Sequence, residues 1–150
     1  MSQTATYHTV VTWKGEHWGY IKLGNGPEMD FSAPPDARGH DGVLTPEDAF
    51  VAAANSCIMM MFLWSCERLK LRLLSYTCRA EGNKLIELDK TELFTHVRLY
   101  PKIRVAADGE MPSEIENRVR RALKSAQKYS LVANSIKSEV IIEPEIEIIQ

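Results

Sequence analysis

Cys57 is the residue whose type and surroundings offer the clearest chemistry, because it lies in an almost uncharged stretch that runs from Thr45 to Leu69. A cysteine thiolate is a strong nucleophile, and peroxides oxidise it to a sulfenic acid. Cys57 comes about three turns after the predicted helix start, too far for the helix dipole to stabilise a thiolate. The apolar neighbours Ile58 and Met59 favour the neutral thiol. Cys57 is therefore either a small core residue or a nucleophile that needs a cation or a hydrogen-bond donor from another part of the fold.

The other two thiols stand in different relations to Cys57. Cys66 would lie about 13 Å further along the same helix and roughly half a turn around it, so a disulfide would require unwinding. Cys78 lies on a later predicted strand and could approach Cys57 from there. Packing is the simpler explanation for both. The four histidines and three cysteines have no metal-ligand spacing, so we expect no metal site and no cofactor.

Composition favours one soluble globular domain over residues 1–150. The chain is 45% hydrophobic and 25% charged with a net charge of −2, which gives no general attraction to nucleic acid or to anionic lipid. We interpret the basic run at 118–128 as a solvated helix face. The uncharged run 49–66 is about the minimum length for a membrane span and contains polar residues, so we expect a core helix and no membrane partner. The absence of a signal-peptide pattern predicts a cytoplasmic protein with reduced thiols.

The elements around Cys57 follow from turn residues and apolar periodicity. Thr45 suits the N-cap of the long helix, Pro46 its first position, and the helix is predicted to run to about Lys70. A second helix is predicted from a capping box of Ser113 and Glu116. The strand-like runs are 7–13, 18–23, a short segment near 29–31, 71–82, 94–108 and 138–150. This order predicts an α+β fold with mainly antiparallel sheets around a long buried central helix.

The long helix also predicts an assembly. It is apolar almost all round and must be enclosed, yet one small domain has few elements with which to cover it. A homodimer that buries part of the helix against a second copy is the natural solution.

Two segments resemble the OsmC/Ohr family, the osmotically inducible protein C and organic hydroperoxide resistance proteins. "LTPEDAFVAAANSC" is similar to the family segment that carries the catalytic thiol, in which the cysteine follows the glutamate by ten residues, as Cys57 follows Glu47 here. "KYSLVANSIK" at 128–137 is similar to the segment with the second cysteine, and Ser130 stands at that cysteine's position. The order of predicted elements agrees over nearly the whole chain.

The resemblance implies an intertwined homodimer of OsmC-like fold with a thiol peroxidase site at the subunit boundary. Cys57 would attack an organic hydroperoxide, release the alcohol and become a sulfenic acid. Ten residues of helix place Glu47 about 15 Å along the axis from Cys57, too far to touch the thiol of its own chain. We hypothesise that Glu47 orients a cation at a thiol of the partner subunit, although a simple dipole role at the helix start explains it equally well.

The chain departs from the family pattern at two places. Because Ser130 replaces the second cysteine, an internal disulfide at that position is excluded and an external thiol reductant is expected. The first hairpin lacks the family's activating arginine, so Lys14, His17 or the loop residue Arg38 would have to supply the cation. An alternative is a non-enzymatic member that binds a small hydrophobic ligand at the dimer interface, and a purely structural role is a third possibility.

Overall fold

The computed structural model describes residues 2–150 and divides into two compact units, one ending at Phe50 and the other beginning at Val51. The elements are those of an α+β protein, as predicted. Whether 1–150 forms a single domain stays a prediction.

The first unit contains a three-stranded antiparallel sheet of β1 (Thr9–Trp13), β2 (Trp18–Leu23) and β3 (Glu28–Ser32), in that order. The predicted hairpin between β1 and β2 is confirmed. Its turn places Gly15 and Glu16 at positive φ angles of 99° and 49°, a conformation that glycine adopts without strain. A single 3₁₀ turn at Pro35–Ala37 follows in the loop between β3 and the long helix.

Helix α1 spans Pro46–Arg68 and begins where the sequence predicts. The Thr45 hydroxyl accepts a hydrogen bond from the backbone N–H of Asp48 at 3.1 Å, which satisfies one of the free donors at a helix start. Glu47 and Asp48 occupy the first turn. The helix ends two residues before the predicted Lys70, where the backbone turns into the left-handed region with a φ of 56°.

The second unit is built on a mixed sheet. Strands β4 (Arg72–Ile86) and β5 (Glu92–Ala106) pair antiparallel along their whole length. The end of the chain forms β6 (Glu139–Ile142) and β7 (Glu145–Ile149), which pair in parallel with successive halves of β5. Pro144 falls between them, so the single strand-like run predicted at 138–150 is two strands, because proline cannot donate a hydrogen bond to a sheet.

Helix α2 (Pro112–Tyr129) and the short helix α3 (Leu131–Ser135) complete the second unit. The predicted capping box is wrong, because Met111 is the N-cap of α2 and Ser113 lies inside its first turn. Proline favours the first helical position and sets the start two residues earlier than that capping box would. The apolar face of α2 is buried, at Ile115, Val119, Ala122, Leu123 and Ala126.

Within the second unit, α1 lies along one face of β4. The Phe62 ring is completely buried, and its centroid is 5.4 Å from that of Tyr76. Further along the strand, a side chain at Gly82 would place its Cβ 2.7 Å from Val51 Cγ2. The missing side chain at Gly82 therefore allows the helix to approach the sheet closely.

The opposite side of α1 is open in the single chain. The buried residues are Ala54, Ile58, Phe62, Ser65 and Cys66, whereas Trp64 and Met60 remain 53% and 42% exposed. Helix α1 is long and apolar enough to cross a membrane, a property that core helices of soluble proteins share. The predicted long helix is confirmed, and within one chain the part of its surface around Trp64 and Met60 is left uncovered.

Candidate active site around Cys57

A hydrogen bond between the α2–α3 junction and α1 defines the candidate site. The hydroxyl of Ser130 donates to the Cys57 sulfur, with 3.1 Å between Oγ and Sγ. Cys57 is half-buried, and Ser130 is completely buried. The structure thus brings together the thiol and the residue that the sequence places at the second-cysteine position.

Local backbone structure fixes the direction of the Ser130 hydroxyl. Ser130 ends α2 and is the N-cap of α3, so its Oγ accepts a hydrogen bond from the backbone N–H of Ala133 at 3.1 Å. Because this oxygen is occupied as an acceptor from one side, its own proton is free to point at Cys57. The sequence analysis did not predict α3, although a serine followed by a short apolar run is consistent with a cap.

A second contact sets the position of α2 against α1. The Arg118 guanidinium donates to the carbonyl of Leu69 at 3.0 Å, just after the end of α1. Cys57 and Leu69 are twelve residues apart, as are Arg118 and Ser130. The two helices therefore run antiparallel, with contacts about 18 Å apart at matching positions.

Glu47 has an unsatisfied carboxylate oxygen. Its Oε1 is buried and has no hydrogen-bond partner among residues 2–150. A buried carboxylate oxygen is stable only when a donor or a cation approaches it. Glu47 therefore has the local environment expected of a residue that holds a cation, although it lies in the first unit and Cys57 in the second.

The three candidate cations also belong to the first unit, and their local environments differ. The Lys14 ammonium forms an ion pair with Asp30 at 2.7 Å. Arg38 is exposed at the end of the 3₁₀ turn, with a φ of 66°, and forms no ion pair among residues 2–150. His17 is exposed in the β1–β2 turn. Lys14 already has a carboxylate partner, whereas Arg38 has none among the described residues.

Cys78 lies on the other side of α1 from Ser130. The side-chain amide of Asn55 donates to the backbone carbonyl of Cys78 at 3.1 Å. Asn55 and Cys57 are about 200° apart around the helix, so they point to opposite sides. The approach of Cys78 to Cys57 that the sequence left open is not found within the chain.

Cys78 and Tyr76 instead line a separate cavity of about 310 Å³ with Asn55, Ser56, Ala52 and Met59. The Tyr76 hydroxyl is buried beside the Cys78 thiol and has no well-aligned hydrogen-bond partner among the described residues. Burial raises the pKa of Tyr76 and also that of the Cys78 thiol. Sequence reasoning missed Tyr76, and the only indication was that it shares a strand face with Cys78.

Cys66 is a core residue. It is 3% exposed, and burial raises the pKa of its thiol to about 12. A thiol in this state is neutral at physiological pH and unreactive, as the packing interpretation predicts.

Comparisons with known proteins agree with this architecture. The family model described as OsmC-like protein matches residues 39–145. A structure of an OsmC-like protein of unknown function from Vibrio cholerae is 23% identical, covers 95% of this chain and 100% of its own, and has a TM-score of 0.84. An organic hydroperoxide resistance protein from Elizabethkingia anophelis is 18% identical, covers 98% of this chain and 99% of its own, and has a TM-score of 0.72. OhrB, the organic hydroperoxide resistance protein of Bacillus subtilis, is 14% identical, covers 95% of this chain and 98% of its own, and has a TM-score of 0.62. A search of curated proteins gives no match. These likenesses confirm the predicted OsmC-like fold.

The raised pKa of Cys66 predicts a pH-dependent contribution to stability. In the unfolded chain the thiol ionises near 9, and in the folded chain its pKa is about 12. The folded state therefore retains a proton that the unfolded state loses between these values, and the free energy of unfolding falls as pH rises through this window. The slope from this one group is at most about 1.4 kcal/mol per pH unit. Urea unfolding should be measured at pH 8.5 and at pH 10.5. Between these values the free energy of unfolding should fall less in Cys66→Ala than in the wild type. Equal losses in both proteins would contradict the prediction.

Proposed function

Because this chain belongs to the OsmC-like protein family, we propose that it reduces organic hydroperoxides and that Cys57 is the peroxidatic residue. The observation that carries the proposal is the hydrogen bond from the buried Ser130 hydroxyl to the Cys57 sulfur. A thiol in an apolar helix needs such a donor to become a nucleophile. Two proteins of similar fold are described as organic hydroperoxide resistance proteins.

The proposed reaction starts from the thiolate of Cys57. Its sulfur attacks the terminal oxygen of the hydroperoxide, and the O–O bond breaks. The electron pair of that bond leaves on the alkoxide, which takes up a proton and departs as the alcohol. The Ser130 hydroxyl stabilises the negative sulfur before the attack, because a hydrogen bond to the charged form favours that form.

An external thiol completes the proposed cycle. Ser130 cannot form a disulfide, Cys66 is buried about 13 Å further along the helix from Cys57, and Cys78 lies across α1. A reductant thiol would attack the sulfur of the sulfenic acid and release water, and a second thiol would then release Cys57 from the mixed disulfide. A cytoplasmic location, where small thiols are abundant, suits this cycle.

A homodimer is the assembly that these surfaces support. Trp64 and Met60 are exposed on α1, and every residue of β1 is exposed, including Trp13 at 77%. A second copy would remove these apolar groups from water. It would also supply a cation to the unsatisfied oxygen of Glu47, and Arg38, which has no acidic partner among the described residues, is our candidate.

One observation favours a second candidate function, the binding of a small hydrophobic ligand without chemistry. The cavity beside Tyr76 is largely apolar, and it offers one unpartnered hydroxyl to orient a ligand. Such a combination is typical of small-molecule sites. In this case Cys57 would be a packing residue and would show no particular reactivity.

Trapping of the sulfenic acid distinguishes these two functions. We expect stoichiometric cumene hydroperoxide, in the presence of dimedone, to label Cys57 of the wild type rapidly, as measured by intact-protein mass spectrometry. Cys57→Ser should abolish the label, whereas Cys78→Ser should leave it unchanged. Ser130→Ala should slow labelling by roughly tenfold, the value of one hydrogen bond to a charged group. Oxidation of Cys57 no faster than that of a free thiol would exclude the peroxidase and favour the ligand-binding protein.

Replacing Ser130 by cysteine tests the proposed external resolution. The wild-type Oγ–Sγ distance of 3.1 Å places a new thiol close enough to condense with the sulfenic acid after a small adjustment. After hydroperoxide, Ser130→Cys should lose two mass units as Cys57 forms a disulfide with the introduced thiol, and it should give little dimedone adduct. The control Cys57→Ser/Ser130→Cys should form no such disulfide. Persistent trapping of the sulfenic acid in Ser130→Cys would show that the two side chains do not meet during the reaction.

The exposed face of α1 predicts the oligomeric state. Size-exclusion chromatography with light scattering should give a dimer of the 17.0 kDa chain. Trp64→Glu should shift the equilibrium towards monomer, because a charge would then be buried in the apolar interface. The control Glu114→Gln changes an exposed residue of α2 and should remain dimeric. A monomeric wild type would refute the assembly.

A further inference from the structure

A cationic pocket lies in the second unit, between the end of α1 and the second half of α2. Its volume is about 380 Å³. Four cations line it, and none of the lining residues is acidic. The cations are Arg68, Arg121, Lys124 and Lys128. Ser125 and Tyr129 also line the pocket.

These cations differ from the other basic residues of α2 in lacking acidic partners. Arg118 pairs with Glu110 at 2.6 Å, and Arg120 pairs with Glu116 at 3.5 Å. Within residues 2–150, none of the four pocket cations forms an ion pair. The first half of α2 is therefore neutralised locally, and the second half concentrates uncompensated positive charge at one concave surface.

Helix dipoles explain only part of this cluster. Arg68 and Lys128 lie in the last turns of α1 and α2, where cations are stabilised by the negative end of the dipole. The dipole effect is confined to the last turn of a helix, and Arg121 and Lys124 lie before that turn in α2. Their spacing with Lys128 places all three on one face of α2. A bound anion on this face of α2 would compensate the positive charges of Arg121 and Lys124, which the helix dipole does not compensate.

Two contacts hold parts of the pocket in place. The Arg68 guanidinium donates to Ser125 Oγ at 2.9 Å, which fixes one donor and leaves others free. The Lys128 ammonium lies 5.2 Å from the centroid of the Tyr129 ring. These contacts reduce the freedom that the two long side chains would lose when a ligand binds.

We propose that this pocket binds a compact polyanion that carries two or more phosphate groups. Two arginines supply the planar forks that match phosphate oxygens, and two lysines add point charges. The four cations lie on one open depression between the ends of two helices, and this limited extent fits a compact ligand better than an extended strand. The inference rests on none of the residues used for the hydroperoxide chemistry.

Calorimetric titration with inorganic tripolyphosphate tests the pocket. The wild type should show saturable binding of one tripolyphosphate per chain that weakens with added salt, and orthophosphate should bind more weakly. Arg121→Gln/Lys124→Gln should lower the affinity at least about tenfold, because charge-assisted hydrogen bonds are lost. The matched control Arg120→Gln removes a neighbouring charge outside the pocket and should change the affinity by less than about threefold.

Three results would overturn the proposal: no saturable binding by the wild type, an equal loss in Arg120→Gln, or tighter pocket-dependent binding of a single-stranded RNA oligomer than of tripolyphosphate. Circular dichroism would establish that each variant is folded. Arg121→Lys gives a second, milder test, because it keeps the charge but loses the fork and should weaken binding by an intermediate amount. Dimedone trapping at Cys57 should be unchanged in all of these variants, so failure of this proposal and failure of the peroxidase proposal are distinguishable.

Discussion

The apolar surface of α1 is the constraint on which the rest of the second unit depends. A helix with almost no charge from Asp48 to Glu67 is stable in water only when other elements cover it. Strand β4 covers one side, and Gly82 lets the helix approach the strand closely. The α2–α3 junction covers another part, where the hydroxyl of the buried Ser130 donates a hydrogen bond to the sulfur of the half-buried Cys57. A buried hydrogen bond in such a setting is well defined, because each group has few alternative partners.

Serine at position 130 changes the chemistry that this contact can support. A hydroxyl donates a hydrogen bond as well as a thiol does, or better, but it cannot be oxidised to a disulfide. In the proposed cycle, Ser130 would therefore bind the Cys57 sulfur but would not resolve its sulfenic acid. A sulfenic acid at Cys57 would persist until an outside thiol arrives, and persistence exposes it to further oxidation. The half-buried position of Cys57 is consistent with a balance between access for a reductant and protection from excess peroxide.

The parts of the fold that could be predicted are those fixed by local interactions. The start of α1 follows from Thr45 and Pro46, whose effects act within one turn. At α2 two local rules competed, and Pro112 prevailed over the capping box of Ser113. The parallel pairing of β6 and β7 with β5 could not be predicted, because it depends on contacts between residues distant in sequence. The same holds for the site: the contact of Ser130 with Cys57 was expected only from the family resemblance, and Tyr76 was missed because nothing near it in sequence indicates an unpartnered hydroxyl.

The antiparallel arrangement of α1 and α2 explains how a short helix junction can position one hydroxyl accurately. Arg118 binds the carbonyl of Leu69 at one end of the pair, and Ser130 meets Cys57 about 18 Å away at the other. Between these points the buried face of α2 prevents sliding, because a shift by one residue would turn its apolar side chains out of the core. Two fixed contacts and a packed face together determine the translation and the rotation of α2. The position of Ser130 is therefore set by the whole of α2. Residues far from the thiol, such as Arg118, contribute to the direction of the one hydrogen bond that reaches Cys57.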